Sequence, residues 1–564
     1  MKGDVMLRKS AAVMRGAICG AMLLAGGVTG NADARTALSK VDGTKLSDIT
    51  RTLASDEFEG RAPGSPGEAK PIAFLVEQFK ALGLEPGGEK GGWTQTVPLL
   101  RTQVDQSAPV TMTIDGKGQP FAQGKDIYVS TLRDADRAKV ASAPLIFVGY
   151  GVTAPERDWD DFKGVDLKGK VAVFLVNDPD FEAVGGEPVA GVFGGRAMTY
   201  YGRWTYKFEE AARRGAIAAL IVHDTPGAGY GWNTVIAPGG ENFGLAGGAN
   251  GPQPLALQGW LSGEAATRLF AASGLDLAAL RVAARQRDFT PVALAPAKMS
   301  ADIAVTRDHI ESHNVIAKLT GGKRPDETIS YAAHWDAYGV DPTPGPKKGT
   351  IRRGALDDAI GVAGVLELAR LFAAGPRPER TLVFAAWTAE ERGLLGSEWF
   401  ARSGLYPADK MVANMTLDVL QTAGAAHDVV LIGAGQNELE RYLADAAKGQ
   451  GRTVTPDAKP ERGLFYRADH FSLARRGVPT LLLMAIGGGA DLLKGGRAAG
   501  DTWVSDYTAN CYHQICDSWS ADWDMTGAVQ DVSLFHTIGA QLANGKQWPQ
   551  WNADSEFAKL RKTP

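Results

Sequence analysis

At 564 residues, 44% hydrophobic and 22% charged, the chain is long enough for two or more domains with substantial cores, which excludes a disordered protein. Its formal net charge of −4, with no block of lysine or arginine, gives no basic field and excludes a nucleic-acid partner.

Arg8, Lys9 and Arg15, an apolar small-residue stretch over 16–28 and the site Ala32-Asp33-Ala34 together read as a cleavable secretory signal over residues 1–34. The apolar part is too short and glycine-rich for a stable span, so no membrane span is expected after cleavage and the expected location is secreted or periplasmic. Cleavage after Ala34 leaves only Cys511 and Cys516; an oxidising compartment would favour their pairing, but the spacing alone leaves two reduced thiols open.

Residues 35–108 read as the first segment of the main domain. A helix through Ile72, Phe74, Leu75, Phe79 and Leu82 follows the turn-rich run Phe58-Glu59-Gly60-Arg61-Ala62-Pro63-Gly64-Ser65, which is given no chemistry. From 109 to 296 the composition shifts to valine-rich strands at 144–149, 170–177 and 216–223, many glycines and a helix near 208–215, so this region reads as an inserted domain. Its cluster Tyr200, Tyr201, Trp204 and Tyr206 reads as core before substrate contact, and His223 as structural.

The second segment of the main domain, 297–564, carries the polar clusters. Apolar runs at 327–333, 380–387 and 411–417 read as buried strands, and each delivers polar groups at its end: His334-Trp335-Asp336, then Glu390-Glu391, then Asp418. Gly354-Ala355-Leu356-Asp357-Asp358 opens a helix through Ile360, Leu366, Leu368, Leu371 and Phe372 that Gly375-Pro376 terminates. The fold class is therefore α/β, a mixed, mostly parallel central sheet flanked by helices, with these groups gathered along the carboxyl edge where open sheets bind ligands. Two divalent ions bring four positive charges, of which Asp357, Glu391 and Asp418 balance three and a bound hydroxide the fourth. Adjacent Glu390 and Glu391 suit a division in which one binds metal and the other moves a proton. A final amphipathic helix runs through Val532, Phe535, Ile538 and Leu542, with His536 on its surface or in packing.

At these residues the chain resembles the co-catalytic zinc peptidases, the family of secreted leucine aminopeptidases, glutamate carboxypeptidases and the transferrin receptor. The resemblance implies two Zn2+ per chain, with His334 and Asp418 on one, Glu391 and a late histidine on the other, and Asp357 bridging. Glu390 would be the general base acting on the zinc-bound water, Asp336 would orient His334, and the Asp357-Asp358 bond would be cis. The late histidine is best placed at His513, in Tyr512-His513-Gln514-Ile515-Cys516-Asp517, where Gln514-Ile515 replaces the usual threonine-proline. Tyr512 is the candidate donor to the tetrahedral oxyanion. In Arg467-Ala468-Asp469-His470 the last two residues would brace the site by hydrogen bonds, and Ala468 stands where many relatives carry serine. Gly149-Tyr150-Gly151-Val152 and Gly164-Val165-Asp166-Leu167-Lys168-Gly169-Lys170-Val171 resemble a protease-associated domain, which would form part of the cleft wall.

The function implied is a secreted aminopeptidase that hydrolyses N-terminal residues from peptides. Three alternatives stand beside it: a carboxypeptidase on acidic peptides using Arg352 and Arg467, a receptor-like binding protein, and a glutaminyl-cyclase-like acyl transferase. The receptor reading predicts lost ligands, whereas all five ligand positions and Glu390 are present. Mixed histidine-carboxylate sites also accept manganese or cobalt, so the native metal stays open.

Overall fold

The protein is represented by a computed structural model that describes residues 40–247, 252–340 and 350–561. The signal-peptide expectation lies outside the described residues. Residues 41–564 form one compact unit, and among the described residues no helix is long and apolar enough to cross a membrane.

Helices α1 (Gly43–Leu53) and α2 (Ala69–Ala81) come first. Asp42 caps α1 by accepting a hydrogen bond from the Thr44 N–H at 3.0 Å. The apolar spacing read in the sequence buries Leu75 and Phe79 of α2. Strand β1 (Thr94–Val104) then alternates buried and half-exposed residues, as a strand with one covered face should.

The region 109–296 contributes β2 (Val110–Ile114), β3 (Arg137–Phe147), β4 (Val171–Leu175), helix α3 (Trp204–Arg213), β5 (Ala218–Val222) and β6 (Leu257–Leu261). Strands β3, β4, β5 and β6 pair in parallel. Both faces are covered: Val173 and Leu220 pack with Phe147 and Phe270 on one side, Phe174 and Ile221 with Phe208 on the other. Two-sided burial is why these strands read as unbroken apolar runs.

Strand β7 (Val292–Leu319) is 28 residues long and ties this sheet to the next. Its first part pairs antiparallel with β3, its second with β1. The boundary expected at 296 falls inside it. There follow β8 (Arg324–His334), α4 (Ile360–Ala374), β9 (Arg380–Trp387), β10 (Met411–Leu417), β11 (Thr480–Leu483) and α5 (Thr526–Asn544). The spatial order is β11-β10-β8-β9-β7-β3-β4-β5-β6. Pairs β11–β10, β10–β8 and β8–β9 are parallel, and β9–β7 is antiparallel.

Helix α4 is apolar on nearly every side because it is sandwiched, and it packs with Tyr331, Phe384, Met415 and Phe535 in the main core. Each such large side chain contributes about 1.5–3 kcal/mol on full burial. Tyr331 donates to the Phe535 carbonyl at 3.1 Å; its hydroxyl fills the space where any side chain at Gly539 would stand, which explains a glycine in the middle of α5.

Candidate metal centre

Three strand ends and one helix start supply the polar groups. His334 is the last residue of β8, Asp418 follows β10, Glu390 and Glu391 follow β9, and Asp357 lies in the turn ahead of α4. The pairing His334↔Trp387 and Ala332↔Thr416 sets the three strand ends level.

The ligand candidates fall into two groups. Donor atoms of His334, Glu390 and Asp418 lie within 4.8 Å of one another, and so do those of Asp357, Glu391 and His513. Asp357 joins the groups: its Oδ1 is 3.1 Å from His334 Nε2 and its Oδ2 is 3.1 Å from His513 Nε2. His513 Nε2 is also 3.2 Å from Glu391 Oε2, and His334 Nε2 is 3.8 Å from Glu390 Oε2. All six candidates therefore converge, with one carboxylate shared between two half-sites. A small cleft beside the second group is lined by Tyr338, Arg352, Asp357, Glu391 and His513.

A shell of hydrogen bonds holds these groups. Asp358, whose bond to Asp357 is cis, is fully buried. Its carboxylate accepts from the backbone N–H groups of His334 (3.3 Å), Gly361 (3.0 Å) and Val419 (3.2 Å), which stitches the ends of β8 and β10 to the start of α4. Asp517 accepts from the N–H groups of Leu356 at 2.8 Å and Asp357 at 3.2 Å, fixing the shared carboxylate from the other side. Tyr338 places its hydroxyl 3.1 Å from His513 Nδ1. A disulfide joins Cys511 to Cys516 across the loop that carries His513.

The geometry refines several sequence expectations. Asp336 does not orient His334 through its carboxylate, which stands 3.7 Å from Nδ1, beyond hydrogen-bond reach. Its carbonyl oxygen takes that role at 3.0 Å, and its carboxylate instead accepts from the Glu390 N–H at 3.0 Å. His470 does not brace the site by hydrogen bonds: it is fully buried, neither ring nitrogen has a partner among the described residues, and the ring lies edge-on to Phe465 at 4.7 Å. Asp469 is buried nearby with one oxygen unpartnered. The Tyr512 ring stacks on His513 with centroids 3.8 Å apart; burial pushes its phenol well above the usual range, with Arg467 opposing.

The residue that sequence reading missed is Arg61. It is fully buried, and its guanidinium donates to the carbonyls of Trp335, Leu53 and Arg353, each at 2.7 Å, and of Gly354 at 2.8 Å. It thus clamps the loop leaving His334 to the turn entering Asp357. Gly354 has a left-handed φ of +55°, and a side chain there would collide with Asp357 and Arg61. The glycine directly before Ala355-Leu356-Asp357 was the one available signal; the partners of Arg61 are backbone atoms and leave none.

The electrostatics call for cations. Among the described residues no lysine or arginine forms an ion pair with Asp357, Glu390, Glu391 or Asp418. Burial pushes the Glu390 and Glu391 carboxyls well above the usual range and Asp418 to about 8, with neighbouring carboxylates adding to the shift. Burial acts on Asp357 in the same direction, but hydrogen bonds from His334 and His513 hold it below the ordinary value. Two imidazoles and four carboxylates with no ion pair to a lysine or arginine among the described residues fit two divalent cations of the zinc type.

Residues 314–536 match the sequence profile of Peptidase family M28. A "Probable zinc metalloprotease" of Pyrenophora teres f. teres (strain 0-1) is 37% identical over 111 residues, 20% of this chain and 23% of that protein. A protein of the same description from Pyricularia oryzae (strain 70-15 / ATCC MYA-4617 / FGSC 8958) is 40% identical over 94 residues, 17% of this chain and 18% of that protein. The chain thus matches less than a quarter of the length of these curated relatives. Among solved structures, an aminopeptidase from Aneurinibacillus sp. strain AM-1 aligns with 91% of this chain and 96% of its own, at 20% identity and a TM-score of 0.48. The segment that carries all six converging side chains, residues 314–536, is the one that matches the profile of Peptidase family M28.

Proposed function

We propose that the protein is a metal-dependent exopeptidase, an aminopeptidase that uses two zinc ions held by His334, Asp418, Asp357, Glu391 and His513. The observation that carries this reading is the Asp357 carboxylate, whose two oxygens face His334 and His513 at 3.1 Å each. Bound zinc would polarise the scissile carbonyl and make water acidic enough to attack it near neutral pH. Glu390 takes the proton from the attacking water and returns it to the leaving amine; burial beside Asp469 and Asp418 raises its proton affinity for that work. Tyr512, stacked on His513, donates its hydroxyl to the oxygen that gains charge. The relative from Pyrenophora teres f. teres, described as a probable zinc metalloprotease, supports zinc and peptide hydrolysis. Export after cleavage of residues 1–34, and the reading of 109–296 as a protease-associated insert that walls the cleft, belong to the same proposal.

The test is hydrolysis of two matched peptide sets, one with a free amino terminus and blocked carboxyl terminus, the other reversed. Cleavage of the first set that a chelator abolishes is the expected result. Cleavage of the second set alone would make the protein a carboxypeptidase.

A further inference from the structure

His334, Glu390, Glu391 and Asp418 stand at strand ends and Asp357 at the start of a helix, where regular backbone fixes them. His513 has no such support. It lies on the loop after the helical turn Tyr507–Cys511, with a left-handed φ of +61° and a half-buried side chain. Its ring is therefore aimed by what touches it.

His513 Nε2 faces Asp357 Oδ2 at 3.1 Å and Glu391 Oε2 at 3.2 Å, which leaves Nδ1 to be satisfied elsewhere. The Tyr338 hydroxyl stands 3.1 Å from that nitrogen, and the two rings lie 4.8 Å apart between centroids. Tyr338 is four residues past His334 on the loop leaving β8, so it reaches from the strand of one ligand to the ring of another.

Tyr338 is itself held in place. The Arg392 guanidinium lies over its ring at 5.2 Å and over the Phe243 ring at 4.9 Å, and Arg392 Nη1 is 3.5 Å from Glu241 Oε2. Arg392 directly follows Glu391. Phe243 and Glu241 belong to the strand Glu241–Leu245 of the 109–296 region, which pairs with β1. A continuous column of contacts thus runs from that region through Arg392 and Tyr338 to His513.

A hydroxyl suits this place because it both donates and accepts, whereas a carbonyl or carboxylate only accepts. With the proton on Nε2, toward Asp357 and Glu391, the hydroxyl donates to Nδ1. With the Nε2 lone pair given to a cation, the proton resides on Nδ1 and the hydroxyl accepts from it. Neither state requires the ring to move.

We propose that Tyr338 is the positioning residue of the second half-site: its hydroxyl holds His513 with Nε2 aimed at the metal and so sets the zinc affinity there. This rests on the two-zinc reading above and goes beyond it by naming what controls the loading of one half-site.

Zinc binding to the full chain, followed by competition with a chelating indicator, should show two steps in the wild type. Tyr338→Phe removes one oxygen and keeps the ring; it should weaken one step about 10–100-fold and leave the other within about twofold. Equal affinities in the two proteins, or an equal loss at both steps, would overturn the positioning role and leave the two-zinc reading standing. A wild type that binds fewer than two ions would overturn both. Nitrogen NMR of the zinc-loaded, histidine-labelled wild type needs no variant, so a misfolded mutant cannot hide the answer. His513 Nδ1 should carry a proton that exchanges slowly with water, and a rapidly exchanging proton there would contradict the hydrogen bond to Tyr338.

Discussion

Buried charge is handled in two opposite ways in this molecule. In the region 109–296, Lys207 is fully buried but donates to the carbonyls of Tyr150 and Asn177, and it sits among Asp178 and Asp161, whose carboxyls burial raises to about 7. Arg281 likewise pairs with Glu182 at 2.9 Å and Asp224 at 2.8 Å. At the carboxyl edge of β8, β9 and β10, four carboxylates face two imidazoles with no basic side chain paired to them among the described residues. The first arrangement is complete without a ligand and holds the fold. The second is incomplete, and incompleteness of that sign is what a cation site requires.

The comparison is tested most severely by Glu390→Gln. That variant should keep its metal but lose about 10²–10⁴-fold in kcat, because a proton acceptor is gone while the ligand set stays. Metal analysis alongside steady-state kinetics checks it, and full activity would remove Glu390 from its role. Next in size is Lys207→Met, which strands Asp178 and Asp161 without their cation and should cost about 3–5 kcal/mol of stability in denaturant unfolding. Arg61→Met, which leaves four carbonyls without their donor, should destabilise by a similar or slightly smaller amount and lower metal affinity as well. A Lys207 variant as stable as wild type would dissolve the contrast between the two regions.

A further prediction concerns acid. Burial lowers the His470 pKa to about 3 from its ordinary value near 6.5, so the folded protein holds the ring neutral while the unfolded chain protonates it. The unfolded state therefore binds the extra proton between those values, and stability should fall as pH drops below about 6.5, by at most about 1.4 kcal/mol per pH unit from this group. His470→Phe keeps a ring against Phe465 and should flatten that part of the melting-temperature profile; an unchanged slope would assign the acid sensitivity elsewhere. The smallest effect is expected from Asp418→Asn in metal-free protein. Removing one uncompensated carboxylate should leave apo stability equal or slightly higher while abolishing the gain on adding zinc.

Much of the site was legible because it follows local rules. His334 and Asp418 are announced by the apolar runs of β8 and β10 that end at them, and Asp357 by the glycine and aspartates ahead of an apolar helix. His513 was placed only by resemblance, since a lone histidine in a polar loop carries no periodic signal. The supporting groups were not legible for a physical reason. Arg61 bonds to carbonyls up to 293 residues away, and any residue type can supply a carbonyl. The resemblance implied that Asp336 orients His334; in the fold its carbonyl stands at His334 Nδ1 and its carboxylate turns to the Glu390 N–H, a division that the residue type alone does not announce. The length of β7 was hidden too, because its middle is exposed and charged where it passes between the two sheets.

The most direct test is the number of zinc equivalents bound per chain, measured by elemental analysis on the wild type and on His513→Ala after equilibration with limiting free zinc. Two half-sites joined by Asp357 predict two ions in the wild type and one in the variant. Two ions in both proteins would remove His513 from the site, and fewer than two in the wild type would contradict the shared-carboxylate arrangement itself.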